Sequence, residues 1–270
     1  MSTAATLEHT IEAFNLSAAS ENKIHDDTVA RKFGFEGGLV PGVEVYAYMM
    51  HLPVARFGPD WLSRGTADCR FHKPVYDGRN ATVGGSVQDG DSIALTVESE
   101  GVLCATGQAA LGAAQTPPSA DIIPTAPLPD HETRPDAAPE ALLERQVMGT
   151  FEVTYSAAEN ADYVRDVRES LNLFVAEDIV HPGLLLRMAN KALSLNVRLG
   201  PWIHVGSAIQ NFAPAKVGDR LAAPARVIKE YEHKGHRFVE MDVLITANGV
   251  STLSRVHHTA IYRPRQVTGG

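Results

Sequence analysis

Pro41-Gly42-Val43-Glu44-Val45-Tyr46-Ala47-Tyr48-Met49-Met50-His51-Leu52 opens on a Pro-Gly pair and then carries apolar side chains on every face of a helix. A helix without a polar face is buried on most sides. The segments that follow, 82–88, 92–98 and 102–111, alternate like strands and are parted by Asp-Gly-Asp and Glu-Gly turns. One long helix, predicted near 43–57, wrapped by an antiparallel sheet is the simplest arrangement that buries it, an α+β class.

The same pattern returns later in the chain. Pro182-Gly183 repeats Pro41-Gly42, and a second apolar helix is predicted near 183–199. Gly42 and Gly183 are 141 positions apart, and so are Phe71 and Phe212. Both phenylalanines precede a proline and then a glycine. Two landmarks at one offset and in one order indicate duplication. Strands are predicted again at 220–232, 237–246 and 251–262, the last two joined by the hairpin pair Asn248-Gly249. Each half is read as opening with a short strand, Ala13–Ser17 and Thr150–Tyr155. Each then enters a polar turn, Ser20-Glu21-Asn22 and Ala158-Glu159-Asn160.

Seven of the sixteen prolines fall between Pro117 and Pro139, where apolar periodicity disappears. Proline removes backbone donors, so this stretch is expected to run extended over the surface. The division expected is a first unit at 1–114, a proline-rich acidic linker at 115–147 and a second unit at 148–270. The two sheets are expected to join edge to edge, which hides two strand edges.

Apolar residues are 44% and charged residues 21%, an ordinary globular balance. The net charge is −8, and half of it sits between residues 117 and 140. No basic stripe suggests nucleic acid, and no basic amphipathic helix or long apolar run suggests a membrane. Two cysteines, Cys69 and Cys104, make no disulfide framework, and residues 1–20 lack the pattern of an export signal, so a cytoplasmic protein is expected. His257 and His258 are adjacent in a strand and point to opposite faces, and no metal or cofactor is expected.

The run Asn22-Lys23-Ile24-His25, then Ala30-Arg31-Lys32-Phe33-Gly34-Phe35, then Gly38-Leu39-Val40-Pro41-Gly42 resembles MaoC-like acyl dehydratases, which include (R)-specific enoyl-CoA hydratases. The resemblance covers most of the first half and is fainter in the second. It implies a double hot-dog fold and a lyase acting on an acyl-CoA or acyl-carrier thioester in fatty acid metabolism, with a homodimer of double hot-dogs possible. It implies His25 as catalytic histidine and Asn22 as the family asparagine, with Gly42 and Val43 at the helix start holding the thioester oxygen. Ser20 stands where the family has aspartate, Lys23 where it has proline, and Pro41 where it has histidine. Serine is no base at neutral pH, so Glu21, Asp26 or the helix residue Glu44 is a candidate substitute. Lys23 and a nearby carboxylate are expected to set the pKa of His25. In the second half Tyr163 is expected opposite His25, and His181 before Pro182-Gly183 is read first as structural. Three readings stand: a hydratase or dehydratase, a hot-dog thioesterase, and an inactive acyl-thioester-binding protein.

Overall fold

The computed structural model describes residues 6–265 except 89 and 145. The first half contains β1 (Thr6–Glu12), α1 (Asp27–Lys32), α2 (Gly42–Phe57), α3 (Pro59–Arg64), β2 (Gly65–Phe71), β3 (Asn80–Val87), β4 (Ser92–Ser99) and β5 (Val102–Leu111). The second contains α4 (Pro139–Glu144), β6 (Val147–Val153), α5 (Ala157–Asp166), α6 (Leu173–Ala176), α7 (Pro182–Ser194), β7 (Ile203–Asn211), β8 (Leu221–His233), β9 (His236–Ala247) and β10 (Ser251–Arg263).

All ten strands form one antiparallel sheet in the order β1-β3-β4-β5-β2-β7-β10-β9-β8-β6. The second five positions mirror the first. The join is the β2–β7 pair, from Thr66 opposite Gln210 to Arg70 opposite Gly206. The expected edge-to-edge union is therefore present. The duplication extends to strands not used to infer it: β1 and β6 begin 141 positions apart, as do β3 and β8. Hairpins β4–β5, β8–β9 and β9–β10 turn at Glu100-Gly101, Lys234-Gly235 and Asn248-Gly249, each with both residues at positive φ. That backbone matches the right-handed twist of the flanking strands.

α2 is buried at eleven of its sixteen positions. It packs on β1, β3, β4, β5 and β7, while α7 packs on β6, β8, β9, β10 and on α2. α7 stops at Ser194, short of the expected 199. Beyond it the buried Asn196 side chain donates to Ala192 O and Gly149 O and accepts from Gly149 N, so the chain leaves the helix to hold β6.

Two expectations about where each half begins need correction. The opening strand is Thr6–Glu12, not Ala13–Ser17. Ala158-Glu159-Asn160 lies inside α5, not in a turn, because Ser156 and Glu159 form a reciprocal capping box that starts the helix there. From 112 to 138 the chain has no helix or strand beyond one 3-10 turn, His131–Thr133. This segment is tied down all the same. Ile123 is fully buried, Thr150 N donates to Ala126 O at 2.8 Å, and Arg198 N donates to Pro135 O at 2.7 Å. α4 follows and buries Leu142. Among the described residues no helix is long and apolar enough to cross a membrane.

Candidate active site

His25 ends a 3-10 turn, Lys23–His25, whose cap is the Asn22 side chain accepting from Ile24 N. The turn is held against the chain that leads into α2. His25 Nδ1 lies 2.7 Å from the Leu39 carbonyl oxygen, and Asn15 Nδ2 donates to His25 O at 2.9 Å. A Cβ on Gly38 would overlap that same His25 carbonyl, so only glycine lets the two segments pass this closely. A carbonyl can only accept, so Nδ1 carries the proton and the lone pair is on Nε2. Burial pushes the His25 pKa below 6.5, the Leu39 carbonyl partly opposes this, and the nearby Arg187 guanidinium adds to it. The ring is neutral at neutral pH. Asn22 spans the two halves: its Nδ2 donates to Trp202 O at 3.0 Å and lies 3.3 Å from His25 Nε2, and its Oδ1 accepts from Trp202 N.

α2 starts beside this ring. Its first bonds run from Glu44 N and Val45 N to Pro41 O, and Pro41 offers no side-chain cap. The N–H groups of Gly42 and Val43 thus precede the first helical bond, at the positive end of the helix dipole. His25, Asn22 and Gly42 line one cavity of about 240 Å³, walled by Phe35, Leu39, Val45, Phe71, Val75, Trp202 and Ile261. A Cβ on Gly42 would stand 2.8 Å from the Phe71 ring and 3.0 Å from His204 Nδ1, so glycine keeps this wall clear. A second cavity of about 370 Å³ shares His25, Asn22, Pro41, Asn190 and Trp202 with the first and adds Ser20, Val43, Arg187 and Lys191. His25 stands where the two meet, between the halves.

The second half has the same scaffold and a closed helix start. Ile179 bridges Lys216 as Leu39 bridges Tyr76. The group that donates to Ile179 O is Asn160 Nδ2, at 2.9 Å, so Asn160 and not Tyr163 occupies the place of His25. His181 caps α7, its Nδ1 accepting from Gly183 N at 3.1 Å. Tyr163 Oη and Ala47 Cβ then fill the space beside Gly183.

The other residues singled out in the sequence fall in several places. Ser20 Oγ donates to Asn22 O at 3.3 Å and faces the second cavity. Glu21 binds His131 and Arg134, and Asp26 caps α1 through Val29 N. Neither carboxylate nor Lys23 governs His25, contrary to expectation; burial, Leu39 and Arg187 do. Glu44 is fully buried and lines neither cavity, its Oε1 paired with Arg187 Nε. Burial raises its pKa and Arg187 partly offsets this. Cys69 and Cys104 are buried free thiols, and burial pushes Cys69 up to about 12. His257 pairs with Glu240 while His258 is fully buried. Among the described residues no three His, Cys, Asp or Glu side chains are grouped to hold a metal ion.

No protein-family model and no curated protein sequence matches the chain. Solved structures do match, along nearly its whole length. A protein named as a MaoC domain dehydratase, from Chloroflexus aurantiacus J-10-fl, superposes with a TM-score of 0.60 at 14% identity, covering 98% of this chain and 96% of that one. RV0216 from Mycobacterium tuberculosis, described as having a double hot-dog fold, superposes at 0.59 and 13% identity over 97% and 96%. The fold is a double hot-dog. A protein named as an oleoyl thioesterase from Lactobacillus plantarum shares it, with a TM-score of 0.55 at 8% identity over 98% and 99%. A double hot-dog at these identities fixes the architecture, and the chemistry has to be argued from the site itself.

Proposed function

We propose that this double hot-dog chain hydrates 2-enoyl thioesters, or in reverse dehydrates 3-hydroxyacyl thioesters, in the cavity at His25. The observation that carries the reading is a neutral imidazole of fixed tautomer on the same cavity as the uncapped start of α2. In hydration, His25 Nε2 takes a proton from water as the oxygen bonds to Cβ. The alkene electron pair moves toward the thioester, and the enolate oxygen accepts from the Gly42 and Val43 N–H groups. The proton on Nε2 then passes to Cα as the enolate collapses, so one water is added and the ring is restored. Asn22 positions the ring. The acyl group takes the apolar cavity, and the arm of CoA or an acyl carrier takes the second, beside Arg187 and Lys191.

With Ser20 in place of an aspartate, His25 performs both proton transfers. The thioesterase reading is weaker, because Glu44, the helix carboxylate it would draw on, is tied to Arg187 and faces neither cavity. Incubation with crotonyl-CoA, following loss of the alkene and release of free thiol together, tests the choice. Alkene loss without thiol is expected; thiol release alone supports the thioesterase, and neither supports a binding protein. His25→Ala should lower hydration by about 10²–10⁴-fold, and Ser20→Asp should raise it. If neither change alters turnover of any enoyl thioester, the site is misassigned.

A further inference from the structure

Asn190 of α7 takes no part in the chemistry above, yet it lines both cavities, as Asn22, His25, Pro41 and Trp202 do. It therefore stands in the neck between them, through which the thioester and its Cα–Cβ bond pass. The other amide of the neck is spent inside the protein: Asn22 holds Trp202 and Ile24. The Asn190 amide makes no hydrogen bond with any described residue. Its Oδ1 is buried, and its Nδ2 is the end left open to the cavities.

The fold does not require an amide here. Asn190 follows Gly183 by seven positions, and the residue seven after Gly42 is Met49, fully buried in the core. Against that apolar counterpart Asn190 costs stability, because a buried carbonyl oxygen is left unpaired. Turning the amide over would bury the NH2 group instead, and a buried orphan donor is rarer and costlier than a buried lone pair. The NH2 group thus faces the cavities and calls for an acceptor.

Two oxygens pass the neck. The thioester oxygen is received at the start of α2, where Gly42 lines only the first cavity and Val43 only the second. The other is the oxygen at Cβ, a water before hydration and a hydroxyl after it. A held water takes about two to four polar partners. His25 Nε2 is one. The loop of His25 offers no carboxylate as a second, since Glu21 and Asp26 bind elsewhere and Ser20 Oγ donates to Asn22 O. Asn190 shares both cavities with His25 and comes from the other half.

We infer that Asn190 holds the oxygen at Cβ, its Nδ2–H donating to the attacking water in hydration and to the 3-hydroxyl group in dehydration. This rests on the hydratase reading of the cavity. One lone pair of the water forms the bond to Cβ and the other accepts from Asn190, while His25 Nε2 takes a proton. The amide loses no proton; it fixes where the water stands. The second half thus completes a site whose base comes from the first.

Calorimetric titration of the full chain with butyryl-CoA and with each enantiomer of 3-hydroxybutyryl-CoA isolates the contact, because these ligands differ only by the hydroxyl at Cβ. Asn190→Leu should cut the preference for the better-bound enantiomer over butyryl-CoA by about 3–10-fold and leave the affinity for butyryl-CoA as it was. It should also lower kcat for crotonyl-CoA by about 10–10²-fold with little change in KM. Asn190→Met, which copies Met49, should behave in the same way if leucine disturbs α7. An unchanged preference overturns the inference. So does an equal loss for all three ligands, which would put the contact on the thioester and not on the oxygen at Cβ. Should the wild-type chain fail to hydrate crotonyl-CoA while the variant still loses the preference, the hydratase reading fails and the Asn190 contact stands.

Discussion

A base must be unprotonated at the working pH, and the burial of His25 serves that end. Because its pKa lies below 6.5, the ring stays neutral from neutral pH into mild acid and charges only below that point. The acidic limb of kcat/KM for hydration should therefore fall below pH 6.5; a limb at or above 6.5 would show that another group titrates. His25 and Asn22 are legible in the sequence because the loop that carries them keeps a recognisable spacing to Pro41-Gly42. His204 is not. Its neighbours are Ser207, three positions away, and His258, 51 positions beyond Ser207, and only the β7–β10 register sets His258 opposite Ser207. The role expected for Glu21 and Asp26 fails for a similar reason. Both are near His25 along the chain, but one turns to Arg134 and the other to the first turn of α1.

The two central helices meet through one ionic contact. Arg187 of α7 reaches Glu44 of α2, whose other oxygen, Oε2, is buried with no partner. Removing only the arginine strands a carboxylate in the core. Arg187→Leu should thus cost about 3–5 kcal/mol in urea unfolding, and Glu44→Leu added to it should recover most of the loss. A single variant as stable as wild type would show that the pair does not hold the helices together. The strands after each helix are visible in the sequence because their apolar residues alternate and Gly-bearing turns bound them. β1 is harder to see: Leu7, His9 and Ile11 alternate with Glu8, Thr10 and Glu12, but Ile11 is its only buried residue and a histidine stands on the inner face, so the apolar signal of this short edge strand is weak. α5 could have been found: Ser156 and Glu159 have the spacing of a capping box, and of the polar pair that suggested a turn Glu159 lies on the exposed side of that helix and Asn160 on its buried side.

The whole chain stores several uncharged histidines. His25, His181, His204 and His258 all have pKa values below 6.5, burial being the first cause in each case. Unfolding frees them to take protons at 6.5, so stability is complete above that pH and is lost as pH falls toward the folded values. Each contributes at most about 1.4 kcal/mol per pH unit in that window. Glu44, raised by burial, opposes them there as a single group. For Glu169, burial alone would raise the carboxyl, but the neighbouring His181 and His51 and the Leu171 N–H hold it below 4.5, so its share is lost only at still lower pH. Unfolding free energy should fall from pH 6.5 to 5, and His204→Phe should flatten that slope by close to one proton; a flat profile in wild type would contradict it. The union of both halves in one chain has a hereditary side as well. Where two identical copies pair, any substitution that plugs one helix start plugs both, and the lineage loses its site. Here His181 occupies Gly183 while Gly42 stays open. One gene carrying both halves lets a plug settle on one side while the other helix start stays open, each state inherited once.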